Sequence, residues 1–191
     1  MFVTLWDQGS ASAQWGVVIS ASLIGAIYDL RTSRIPNFLT VPVLVGGIVW
    51  AGWIGALPGL VDATAGCVLL SLPYIVLFAF GGGGAGDAKL MGSIGAWLGV
   101  VNASVTLVAV TVSGLVLAIG FALAKRRLRS ALANVVRMCS IVILFIFSRG
   151  RSGDAQSLLV KTGEMQTIPY GVGIFVGTCV AAVGVFAWRA C

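Results

Sequence analysis

Hydrophobic residues fall in long blocks along this chain, without the strict alternation of a half-buried strand. Blocks approaching about 20 apolar residues fit helices that cross a bilayer. The first runs from about Ala13 to Tyr28, with Arg31 and Arg34 directly after it and nothing basic before it. The basic flank belongs in the cytoplasm, which puts the N-terminus outside. Met1 to Ala13 carries no Lys or Arg and no long apolar core, so the first block is expected to be an uncleaved anchor. Further blocks follow at about Phe38 to Ile54 and Leu60 to Phe80, with Leu57-Pro58-Gly59 as the outer turn. Pro73 is expected to kink the third block. A short fourth block, about Ala88 to Val101, has Gly92, Gly95 and Gly99 at helical spacing, which favours close helix approach. A fifth, about Ser104 to Ala124, ends at the basic cluster Lys125-Arg126-Arg127-Leu128-Arg129, and a last runs from about Thr167 to Trp188.

The stretch 131–147 is apolar but short, and it contains Arg137. It either crosses or lies along the inner surface. As an interfacial or re-entrant segment it keeps 11 of the 12 basic residues inside, and that arrangement is preferred. The expected fold is an all-α polytopic membrane protein, one domain over residues 1–191. It has about six transmembrane helices, both termini outside, and a pair of aspartates at the cytoplasmic face.

Composition agrees. Only 9% of residues are charged, 59% are hydrophobic and the mean hydropathy is +1.04; a soluble domain carries about 25% charged residues. The net charge of +6 is the bias expected of a membrane protein with basic inner loops. Membrane lipid is therefore an expected partner and nucleic acid is not. The chain has no His, and Cys67, Cys139, Cys179 and Cys191 form no CxxC pair. No metal site and no cofactor are expected.

Two acids stand out. Asp87 follows the glycine run Gly81-Gly82-Gly83-Gly84-Ala85-Gly86, and Asp29 ends the first block. The topology places both at the inner face. The glycine spacing is that of a phosphate-binding loop, but Asp87 stands where such a loop has its lysine and would repel a phosphate. Two neighbouring carboxylates instead suit acid–base chemistry, one taking a proton from water and the other donating one to an amide carbonyl. Two other readings stay open on physics alone: helix-end charges paired with Arg31 and Lys89, or a small proton- or ion-coupled transporter, whose carboxylates usually sit near mid-membrane. Asp62, near the outer end of the third block, is expected to be a solvated helix N-terminal charge.

The segments Asp29-Leu30-Arg31-Thr32-Ser33-Arg34-Ile35-Pro36-Asn37, Gly84-Ala85-Gly86-Asp87-Ala88-Lys89-Leu90 and Pro169-Tyr170-Gly171 together resemble the type IV prepilin peptidases, membrane aspartyl proteases of the GxGD type. The resemblance covers essentially the whole chain. It implies an aspartic endopeptidase that removes the basic leader of prepilin-like substrates at the cytoplasmic face of the inner membrane. Asp29 and Asp87 match the catalytic aspartates, and Gly84 and Gly86 the glycines of GxGD. Lys89, Pro36, Asn37, Pro169, Tyr170 and Gly171 would bind substrate or shape the site. In size the chain resembles the short Tad/Flp pilus peptidases. It shows no region with paired CxxC motifs of the kind associated with N-methylation, so methyltransferase activity is not expected. A non-enzymatic pilus-assembly scaffold is the alternative from another class.

Overall fold

A computed structural model describes residues 8–32, 34–79, 84–124 and 170–190. They form four helices, α1 (Gln8–Thr32), α2 (Asn37–Ala79), α3 (Ala85–Ala124) and α4 (Tyr170–Ala190). All four are long and apolar enough to cross a membrane, and no strand occurs among the described residues. The protein is an all-α membrane protein. The stretch 131–147, the basic cluster at Lys125, Gly81 to Gly83 and Pro169 lie outside the described residues.

α2 has 43 residues and α3 has 40. Straight helices of that size would measure roughly 60–65 Å, twice the hydrocarbon core of a bilayer. Neither is straight. Ala56, at φ 47° and ψ −138°, breaks α2, and Gly99, at φ 65° and ψ 175°, breaks α3. After Ala56 the chain doubles back: Gly59 packs on the Ala51 carbonyl, and a Cβ at Gly52 would lie 3.1 Å from Leu60. On a straight helix such residues would be about 12 Å apart. The reversal thus comes one residue before the expected Leu57-Pro58-Gly59 turn. Pro58 falls at the start of the returning half, where a missing N–H is least costly. Around Pro73 the backbone dihedrals stay helical, and the break within α2 is at Ala56.

Small residues set the packing. The second half of α2 runs antiparallel to the first half of α3, with Gly66 against Gly95, and Cys67 and Ser71 against Gly92. The first half of α2 runs alongside in the same direction as α3: the Trp97 indole N–H donates to the Val43 carbonyl at 2.7 Å, and Gly47 meets Ala96 and Trp97. Close backbone approach of this kind is how helices associate without a hydrophobic driving force between them. α4 lies antiparallel to α1, where the Trp15 and Phe186 rings meet tilted, with centroids 6.5 Å apart. It also packs against the second half of α3, Gly173 on Gly114 and Gly177 on Val110.

The interior mixes Leu90, Met91, Ile94, Leu98 and Ile174 with hydroxyl residues. Ser93, Thr106 and Thr178 each donate back to their own helix at 2.7–2.8 Å, which satisfies them where water is absent. The exterior is apolar, with Trp53 and Leu57 at 87% and 75% exposure. That inversion suits lipid, not water.

Candidate active site

The site is built from helix ends. Asp29 lies in the last turn of α1 and is half-buried. Asp87 lies in the first turn of α3 and is buried. Between α1 and α2 the chain turns through Ile35 and Pro36. The Pro36 carbonyl accepts from the amides of Leu39 and Thr40 at 3.2 and 3.4 Å, so Pro36 caps α2. Asn37 then opens the helix.

Gly86 fits this turn. A Cβ there would lie 2.9 Å from the Ile35 Cβ and 3.2 Å from the Ile35 nitrogen. The glycine of the GxGD segment therefore lets α3 approach the Ile35-Pro36-Asn37 turn. Gly84 acts on Asp87 directly: its amide donates to Asp87 Oδ2 at 3.3 Å, and its carbonyl accepts the Asp87 amide at 3.1 Å.

Asp29 is held from the far end of the sequence. The Gly171 amide, in the first turn of α4, donates to Asp29 Oδ2 at 2.8 Å. Gly171 is buried, and a Cβ on it would sit 2.8 Å from the Asp29 Cβ. Gly25, about one turn before Asp29, packs on Leu90, about one turn after Asp87, so both carboxylates lie at the same end of the bundle. Asp87 interacts electrostatically with the phenols of Tyr74 and Tyr170.

Lys89 is exposed and donates to Asn37 Oδ1 at 2.9 Å, which joins the starts of α2 and α3. Among the described residues no ion pair joins Asp29 to Arg31 or Asp87 to Lys89. The picture of two helix-end charges neutralised by adjacent cations is therefore not what the helices build. Of the residues singled out in the sequence, Asp29, Pro36, Asn37, Gly84, Gly86, Asp87, Lys89, Tyr170 and Gly171 come together at one end of the bundle. Pro169 is outside the described residues. Tyr74, within electrostatic range of Asp87, was not singled out in the sequence, since an aromatic within an apolar block carries no mark of its neighbours. Among the described residues no group of three or more metal-ligating side chains occurs.

The chain is similar to known proteins. The chain is 32% identical over 119 residues to a prepilin leader peptidase/N-methyltransferase of Neisseria gonorrhoeae, a match covering 59% of the chain and 42% of that protein. A protein of the same description from Aeromonas salmonicida (strain A449) is 30% identical over 127 residues, 61% of the chain and 44% of the relative. One from Klebsiella pneumoniae is 34% identical over 89 residues, 44% of the chain and 39% of the relative. The chain thus matches less than half the length of these relatives. No solved structure matches it. The model of the type IV leader peptidase family matches residues 16–119, which hold Asp29, the Ile35-Pro36-Asn37 turn and the GxGD segment but not α4. With more than half of its length inside that match, the chain belongs to the type IV leader peptidase family.

Proposed function

We propose that this protein is an aspartic endopeptidase that removes the basic leader of type IV prepilin-like proteins at the cytoplasmic face of the inner membrane. Asp29 and Asp87 are its catalytic pair. The observation that carries the reading is the arrangement of the two carboxylates. Each comes from a helix end, each has one oxygen held by a glycine amide, and α1 and α3 pack together through Gly25 and Leu90 beside them.

Like charges at close range favour a state with one proton between them. The ionised carboxylate takes a proton from water as the water oxygen bonds to the scissile carbonyl carbon. The protonated one donates to the carbonyl oxygen. In the second step the tetrahedral centre collapses, the C–N bond breaks, and a proton passes to the departing nitrogen. A leader with a free carboxylate and a mature protein with a free amine result. Every proton is supplied and returned by the pair and the water. Of the two activities in the relatives' name, only the peptidase is proposed, because it is the one that the paired carboxylates would perform.

The substrate helix would lie in the membrane beside the protein, with its leader at the end of the bundle that holds Asp29, Asp87 and Lys89. The chain would cross six times, each half of α2 and of α3 counting as one crossing. The test is processing of a co-expressed prepilin, followed by its size on a gel. Asp29→Asn and Asp87→Asn are each expected to lower cleavage at least about 100-fold, the lower range for loss of a general acid or base. Normal processing by either variant overturns the mechanism.

A further inference from the structure

The two aspartates are held alike but from different distances. Asp87 Oδ2 accepts the amide of Gly84, three residues away in sequence; Asp29 Oδ2 accepts that of Gly171, 142 residues away. Among the described residues neither Oδ1 accepts a hydrogen bond. One oxygen of each carboxylate is thus fixed by backbone and the other is left for chemistry.

The Gly171 contact is specific in two ways. The first amides of a helix have no partner within it, so this N–H is available to a side chain without loss to α4. The position also has no room for a side chain. A Cβ at 171 would approach Asp29 Cβ to 2.8 Å, Asp29 Oδ2 to 3.0 Å and Ala26 Cα to 3.2 Å. Oδ2 can rotate away, but Asp29 Cβ and Ala26 Cα are fixed to the α1 backbone and cannot swing aside.

We infer that Gly171 is a positioning residue for Asp29: its amide fixes Oδ2, its missing side chain lets α4 close on α1, and Asp29 Oδ1 is left as the oxygen that faces the reacting water. This rests on the peptidase reading for its consequence but not for its geometry. It adds a working part that lies outside residues 16–119, the span matched by the family model. α4 then serves the site as a clamp as well as the bundle as a wall.

The experiment compares glycines on the same helix. Gly173 also faces a neighbour, Gly114 Cα at 3.3 Å, but does not touch Asp29. Purified protein is given a synthetic peptide with a basic leader before an apolar segment. Gly171→Ala is expected to lower kcat at least tenfold with KM within twofold of the parent, while Gly173→Ala changes neither by more than twofold. Unchanged kcat in Gly171→Ala overturns the inference, as does an equal loss in Gly173→Ala, which would mark helix packing alone. A second measurement is independent of cleavage. The Gly171 amide, followed by NMR hydrogen exchange, should be protected in the parent and lose at least tenfold protection in Asp29→Ala. Retained protection overturns the contact. If the parent does not cut the peptide, the peptidase reading fails and the exchange result alone decides the positioning.

Discussion

Gly86 has no room for a methyl group. Its backbone lies against Ile35, with 2.9 Å left between a built Cβ and the Ile35 Cβ. Relief requires moving either the turn before α2 or the start of α3, and Asp87 is the next residue along. Displacements of about 1 Å at a reacting group can cost 100-fold. Gly86→Ala is therefore expected to lower leader cleavage between about 10- and 100-fold. Gly16→Ala, where nothing lies within 4 Å, should leave cleavage within twofold of the parent. Equal effects of the two, read as initial rates on one substrate, would show that Gly86 is no tighter than an open position. Asp29, Gly86 and Asp87 could be singled out in the sequence because each belongs to a short local pattern beside an apolar block. Gly171 was singled out as well, but not as the partner of Asp29. Its contact spans 142 residues, and a donor that is a backbone amide leaves no side chain in the sequence to mark it.

At the scale of elements, the breaks in α2 and α3 make two long helices into antiparallel halves. Gly99 makes the second break with a left-handed φ of 65° that a side chain would strain. A Cβ there would also collide with the Asp62 carboxylate. Asp62 is a cap: its Oδ1 accepts the Val100 amide at 3.1 Å at the start of the second half of α3. The expectation of a merely solvated charge missed this, because a cap supplied by another helix cannot be seen from local sequence. Asp62→Ala should destabilise the protein by about 1 kcal/mol, as loss of an N-cap does. Asp62→Asn keeps the acceptor and should cost less than half as much. Ala56 carries the other break with a Cβ, at a φ of 47°. Strain of this kind is of order 1–3 kcal/mol, so Ala56→Gly should stabilise by about 1 kcal/mol. Thermal unfolding in detergent, read by loss of helical circular dichroism, orders the three variants. An Ala56→Gly midpoint below the parent would contradict the strain argument, and equal midpoints for the two Asp62 variants would contradict the cap.

For the whole molecule, the helix directions place the described site residues at one end. Asn37 opens α2 beside Lys89 at the start of α3, and Asp29 closes α1 beside the start of α4. The opposite end holds the Ala56 reversal and the Asp62–Val100 contact. From Asn37 to Gly55 the chain rises about 27 Å as helix, close to the depth of a hydrocarbon core. Blocks of apolar sequence made this architecture legible, since block length and basic flanks are membrane rules that need no tertiary contact. What they could not give is which halves touch, because that depends on glycines such as Gly66 and Gly95 meeting face to face. The proposed sidedness rests on charge. The site end carries Arg31, Arg34 and Lys89, and a positive end belongs in the cytoplasm. Leu57, at 75% exposure, marks the other end. Single cysteines introduced as Arg31→Cys, Lys89→Cys and Leu57→Cys in a cysteine-free background separate the possibilities. In intact cells a membrane-impermeant maleimide should label position 57 and spare 31 and 89. In inside-out vesicles the pattern should invert. Labelling of position 89 from outside would put the aspartates on the wrong face for a leader that has not crossed the membrane, and would remove the proposed substrate geometry even if both aspartates proved essential.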